Sequence, residues 1–441
     1  MLGWVERAER RRVSSLLAGV GTRAIGILTR VDKGALSITD QMVSSGSNFA
    51  TTLILARLLG KHEFGLFVLA NTVLLLVASA QNALIWQPLM LRGAMLDKHA
   101  VGSFLRANVV IQSVLLVTGS AVIAIVGLLW KPLRPVMVPL AVASALYGAQ
   151  EFFRRVLYTR GRVGSAVVND VVSYGLQAVG VWVLAWRVGV SVGTALWVVG
   201  LTSLLGVILG AWQLREYWAR GMDDLRSVVR ANFEIGKWIT AVVMLDTVSI
   251  YAYPALVAAL VDLQETAALG VITQVLAPLV LLIRPLDSYY TPAAARALVR
   301  GGAEGSRRVV LDSVRLIAPP YGLYLLGTIV FASPILSIVF GERYVQYAEV
   351  LRVFAIAATV HFPIGFLHIM LNVRRMQHFF LVEGLCSVVL TYTVGLYLVG
   401  RLGLIGLAVT AVMTRAGQLC VLGLGMKSTG LSAHGRARVE Q

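Results

Sequence analysis

Charge is scarce in this 441-residue chain: Asp, Glu, Lys and Arg make up 14% of it, against 57% hydrophobic residues and a mean hydropathy of +0.77. Soluble domains carry about 25% charged and 45 to 50% apolar residues, so composition excludes an ordinary water-soluble domain. Cysteine is nearly missing. Cys386 and Cys420 both fall inside apolar stretches, which excludes a disulfide framework and predicts free, buried thiols. There is no Cys-x-x-Cys pair, no His/Glu metal signature, no Walker-type glycine loop and no external stretch large enough to hold an active site. Covalent catalysis, a metal centre and a cofactor therefore have no carrier in the sequence. Acidic residues are outnumbered 22 to 39 by Lys and Arg. The resulting +17 would suggest nucleic acid in a soluble protein, but here the basic residues stand between apolar runs, and the partner they imply is membrane lipid.

What the chain has instead is long apolar runs. A helix needs about 20 mostly apolar residues to cross a bilayer, and it satisfies its own backbone hydrogen bonds there. Runs of that length over 38–59, 64–91, 104–130, 136–158, 165–186 and 192–214 are followed by a polar connector, 215–237. Six more follow over 238–260, 266–292, 309–331, 347–371, 379–399 and 402–426. The expected fold is all-α: a polytopic membrane protein of about twelve transmembrane helices in two six-helix lobes, 37–214 and 238–426. The connector, with Leu225, Val228 and Val229 on one edge, is expected to be an interfacial helix. The basic segment 1–36 reads either as an amphipathic helix in the headgroup layer or as a cytosolic tail, and no cleaved signal is expected because Arg23 splits its apolar candidate. Most Lys and Arg fall on the side of the two termini, in the loops 154–162, 215–237, 296–315 and 374–375. Both termini, including the tail 427–441, are therefore expected to be cytoplasmic. Leu157 to Arg162 and Leu371 to Met376 close corresponding spans at an offset of about 214 residues, an internal repeat that supports the division.

Two stretches at turns carry a family likeness. Ala56 to Phe67, preceded by Ser45-Gly-Ser-Asn-Phe49, resembles the first hairpin of the bacterial Wzx-like polysaccharide flippases, of the MATE/MOP type. Phe340-Gly-Glu-Arg-Tyr344, with Ala348-Glu-Val-Leu-Arg352, is similar to the turn between the ninth and tenth helices of that family. Both motifs sit at corners, where they shape helix packing or touch substrate. The resemblance implies a multi-pass protein of the bacterial inner membrane. It implies that this protein moves a polyprenyl-diphosphate-linked glycan by alternating access, together with other polysaccharide-assembly proteins, and it implies no enzyme activity. Within the superfamily a MATE-like small-molecule antiporter stands as the alternative; a polymerase or ligase enzyme is the more distant one.

A charge at bilayer depth costs about 2.5 to 3.5 kcal/mol on insertion scales, so intramembrane charges are the candidate functional residues. For substrate these are Arg57, Arg284 and Arg154 toward diphosphate, with Asn48, Asn71 and Gln81 toward sugar. For a coupling proton they are Asp246, Asp287 and Asp40. Arg284 and Asp287 bracket Pro285 and are close enough on a helix to pair, either as a structural pair or as a site. Glu151, Arg155 and Asp170 are comparable groups of the first half, and Glu383 and Arg415 read as span-boundary residues of the second. His361 and His368, seven residues apart, are too far apart to share one metal. With Asn372 they form a polar stripe that either packs or lines a cavity.

Overall fold

The computed structural model describes residues 33–96, 98–218, 221–283, 286–374, 376 and 378–437. The expectation for 1–36 lies almost wholly outside them, as does Arg284, and so do the side chains of Asp246 and Asp287. No β-strand occurs among the described residues. The first half runs α1 (Lys33–Leu58), α2 (Lys61–Gln81), α3 (Gln87–Gly93), α4 (Lys98–Leu129), α5 (Met137–Thr159), α6 (Val163–Asp170), α7 (Leu176–Arg187) and α8 (Val192–Gln213). The second runs α9 (Leu225–Leu260), α10 (Leu263–Ile283), α11 (Thr291–Val330), α12 (Ala332–Ile335), α13 (Ala348–Val373), α14 (His378–Leu390) and α15 (Leu396–Ala437).

Among the described residues nine helical stretches are long and apolar enough to cross a membrane. The longest, His378–Lys427, contains two of the expected spans. It breaks at Gly403, whose φ of +60° lies in the left-handed region that a side chain disfavours. α1 and α9, 26 and 36 residues long, supply the two further expected passes. With α1 and α9 counted as passes, the described residues hold the twelve that the hydropathy predicts.

Three expectations need correction. The connector is not a separate interfacial helix: a 3-10 turn, Arg215–Tyr217, is followed by a polar loop, and the apolar edge from Leu225 onward is the first turn of α9. No proline separates the polar from the apolar part there, and the helix propagates through Gly236. The stretch 296–315, expected as a loop, and the stretch 332–346 are largely helical as well. The Ala- and Arg-rich sequence 293–300 is a good helix former, and α11 is interrupted at Gly301 and Gly302, the latter at φ +59°. Finally, the cysteines are unpaired as expected but not buried: Cys386 is half-buried and Cys420 exposed.

The described chain divides into two compact units. Unit 1 holds α1 up to Thr52, Leu84–Ile125 and Met137–Gly236; unit 2 holds Leu53–Ala83, Val126–Val136 and the chain from Lys237 on. The division therefore differs from a cut at the connector. In unit 1, α5 packs along α8. Gly206 of α8 lies so close to α5 and the following helix that an added Cβ would stand 2.7 Å from Gln150 Cγ. Buried Gln150 donates to Asn169 Oδ1 at 3.0 Å, and Asn169 donates to the Gly206 carbonyl at 2.7 Å. In unit 2, α13 packs on α15 and α11, and α2 on α10.

The internal repeat is visible in backbone detail. The Arg162 N–H donates to the Leu157 carbonyl and the Met376 N–H to the Leu371 carbonyl, both at 2.9 Å, the same helix-ending bond in each half. Single π turns interrupt corresponding spans too: Asn82–Trp86 and Leu286–Tyr290 in the second span of each half, Val171–Gly175 and Thr391–Gly395 in the fifth. Each π turn inserts one residue into the α ladder, a feature found mostly at functional positions.

Candidate functional site

On α5 the spacing i, i+3, i+4, i+7 places Glu151, Arg154, Arg155 and Tyr158 on one face. That face is turned inward in unit 1. Arg154 Nη2 meets Asp40 Oδ2 at 2.5 Å, its Nη1 meets Glu151 Oε1 at 3.2 Å, and its Nε stands 2.8 Å from Asp170 Oδ2. Arg155 pairs with Glu151 at 3.3 Å. The Tyr158 hydroxyl donates to Asp40, and Tyr174 donates to Glu151 at 2.8 Å. Asp40, Glu151 and Asp170 are all buried, 2%, 2% and 0% exposed. Asp40 comes from α1, Asp170 from the end of α6, and Tyr174 from the π turn Val171–Gly175. A π turn shifts the helix register by one residue, about 100°. Asp170 lies just before it, and Tyr174 within it reaches the same cluster.

Three buried carboxylates thus meet two guanidiniums, of which Arg154 is 12% and Arg155 32% exposed at the side chain. Ionised together they carry one uncompensated negative charge, an arrangement whose desolvation cost is relieved by binding one cation or proton. Of the candidates named from sequence, the structure unites Arg154 with Asp40 and adds Glu151, Arg155 and Asp170. Tyr158 and Tyr174 were missed, although Tyr158 stands four residues after Arg154 and Tyr174 four after Asp170.

The remaining candidates stand elsewhere. Asn48 and Asn71 lie on exposed faces of α1 and α2, and Gln81 is buried at the end of α2. Arg57 is exposed and donates from Nε to the Val339 carbonyl at 2.8 Å and from Nη2 to the Ile338 carbonyl. Arg343 returns a hydrogen bond to the Ala56 carbonyl. The two turn motifs singled out in the sequence therefore meet within unit 2, each arginine capping the last carbonyls of the other's helical segment. Buried Tyr344 packs edge-on against Phe64 with ring centroids 6.5 Å apart. Tyr347 donates to Glu265 at 2.9 Å, and the Lys61 ammonium lies 5.4 Å from its ring centroid.

In the second half, His368 Nε2 meets Glu383 Oε2 at 2.7 Å. His368 follows Arg154, and Glu383 follows Asp170, at nearly the offset of the repeat, so each half holds a basic–acidic pair at matching places. His361 instead lines a cavity.

No protein-family model and no curated protein sequence matches the chain. Solved structures do. An inward-facing multidrug resistance MATE family transporter of the MOP superfamily superposes with a TM-score of 0.68 at 13% identity, covering 93% of this chain and 98% of that one. The lipid II flippase MurJ in an inward closed conformation gives 0.67 at 10% identity, covering 89% and 87%. A MOP superfamily transporter from Pyrococcus furiosus, described as having a binding pocket of reverse polarity, gives 0.60 at 13%, covering 92% and 94%. The chain has the all-helical fold of the MOP-superfamily transporters.

Proposed function

We propose that the chain is a Wzx-like flippase that carries a polyprenyl-diphosphate-linked oligosaccharide across a bacterial inner membrane by alternating access, for assembly of a surface polysaccharide. The observation that carries this reading is the buried, charge-unbalanced cluster of Asp40, Glu151, Arg154 and Asp170 in a fold shared with a lipid II flippase. Three carboxylates held against two guanidiniums leave one negative charge for a coupling cation or proton to neutralise. Asp40 on α1 and Asp170 beside the π turn share Arg154, so losing either contact changes which helix Arg154 holds. Arg154 therefore belongs with the coupling group. Arg57 and Arg284 are the cations we assign to diphosphate, with Asn48, Asn71 and Gln81 toward sugar, and Asp246 and Asp287 as further proton carriers. Both termini are cytoplasmic in this reading.

The test is genetic and chemical. A strain lacking the chain should accumulate lipid-linked oligosaccharide and lose surface glycan. Asp170→Asn or Asp40→Asn, at normal protein levels, should fail to restore it. A second reading, a small-molecule antiporter, is favoured by the 0.68 superposition on a MATE transporter. Loss of cationic-drug efflux with unchanged surface glycan would establish that reading and overturn the first.

A further inference from the structure

Unit 2 holds a half-open cavity of about 320 Å³ among α9, α10, α11, α13, α14 and α15. Its walls are mostly aliphatic and aromatic, and its polar groups are a guanidinium, an imidazole and hydroxyls. Arg415 and His361 both line it, as do Thr414 and Ser387, while no carboxylate does so among the described side chains. Arg415 donates to Gln418 Oε1 at 2.8 Å and forms no ion pair among the described residues. A guanidinium stays charged under all ordinary conditions, so a half-buried one calls for an anion. Thr414 is 2% exposed, and its hydroxyl has no hydrogen-bond partner in the described structure; neither has the buried Nδ1 of His361. Tyr321 lines the same cavity as Arg415 and His361. Buried polar groups are nearly always satisfied, and two unsatisfied ones beside a guanidinium on one cavity mark a place for a ligand.

We propose that this cavity is a binding site for a small organic anion: an apolar or aromatic body bearing one carboxylate or phosphate, which Arg415 and Thr414 hold and the aliphatic wall packs. The cavity has room for a ligand of benzoate or phenyl phosphate size. The site does not depend on the flippase reading, since its residues are separate from the cluster of unit 1. Its polarity is opposite to what a cationic ligand requires.

The test uses the full chain, purified in nanodiscs, and isothermal titration with four probes of similar size: benzoate, phenyl phosphate, neutral benzamide and cationic benzylamine. Either anion should bind at least about tenfold more tightly than the neutral and cationic probes. Arg415→Gln should weaken anion binding about 10- to 100-fold, the range for a lost charged hydrogen bond. Arg415→Lys should retain most of it, and Thr414→Val should weaken it severalfold with the thermal midpoint unchanged. The proposal is overturned if benzylamine binds as well as benzoate, if no anion binds, or if both Arg415→Gln and Thr414→Val bind benzoate like wild type. Should Arg415→Gln not fold, Thr414→Val and the charge series of probes decide the matter alone.

Discussion

Gly65 at the start of α2 lies against the carbonyl of Leu263 at the start of α10: a Cβ built on Gly65 would fall 1.6 Å from that oxygen. One helical step on, Gly270 accepts the side chain of Val68, with an added Cβ 2.3 Å from Val68 Cγ2. The two helices therefore touch through backbone, at a distance only glycine permits.

Gly65→Ala must push α2 and α10 apart and is expected to cost about 1 to 3 kcal/mol, as overpacking of a tight contact does. Gly60→Ala, a few residues earlier with nothing within 4 Å, should be near neutral. Thermal unfolding of the detergent-solubilised protein, followed by size-exclusion recovery, distinguishes the two. Equal midpoints for both variants would contradict the packing described.

Removing Arg154 leaves Asp40, Glu151 and Asp170 facing one another in a buried place. Arg154→Met is expected to destabilise by about 3 to 5 kcal/mol, the cost of breaking a buried ion pair from one side. Adding Asp170→Asn to Arg154→Met should recover part of that loss, because it removes one stranded charge. A double-mutant cycle in thermal midpoint reads the coupling, and strictly additive losses would count against a shared cluster.

Arg57 and Arg343 bind backbone carbonyls across one corner, so alanine at either should lower the midpoint by similar amounts. We expect about 1 kcal/mol each, less than a buried charged hydrogen bond because Arg57 is exposed. If Arg57 serves diphosphate as well, Arg57→Ala should depress surface glycan far more than Arg343→Ala at matched stability.

His368 and Glu383 should behave as one unit. In the flippase reading, His368→Asn and Glu383→Gln are each expected to reduce glycan export, and the double variant should reduce it no further than the worse single one. Independent, multiplying effects would show that the 2.7 Å contact has no functional weight.

The spans were legible because bilayer thickness imposes a length and a composition that hydropathy reads directly, and the repeat was legible at Leu157 to Arg162 and Leu371 to Met376. The π turns were not, since a one-residue insertion leaves no mark in an apolar run. The connector misled because its polar composition resembles an interfacial segment, although α9 begins inside it. Within the cluster, the α5 stripe from Glu151 to Tyr158 was visible as helical spacing. Its meeting with Asp40, 114 residues earlier, is a product of tertiary packing that no local pattern announces. Arg415 read as a span-boundary residue for the same reason: only the fold shows that it lines a cavity.

The π turn beside Asp170 has a consequence for how this protein tolerates change. Taking out one residue from Val171–Gly175 would mend the regular ladder at no loss of hydrogen bonds, yet it would swivel α7 by about a quarter turn relative to α6. Gln177, which reaches Thr51, would then point elsewhere. A deletion that improves the local backbone would thus scramble its surroundings, so here the irregular geometry is what keeps the neighbourhood in order.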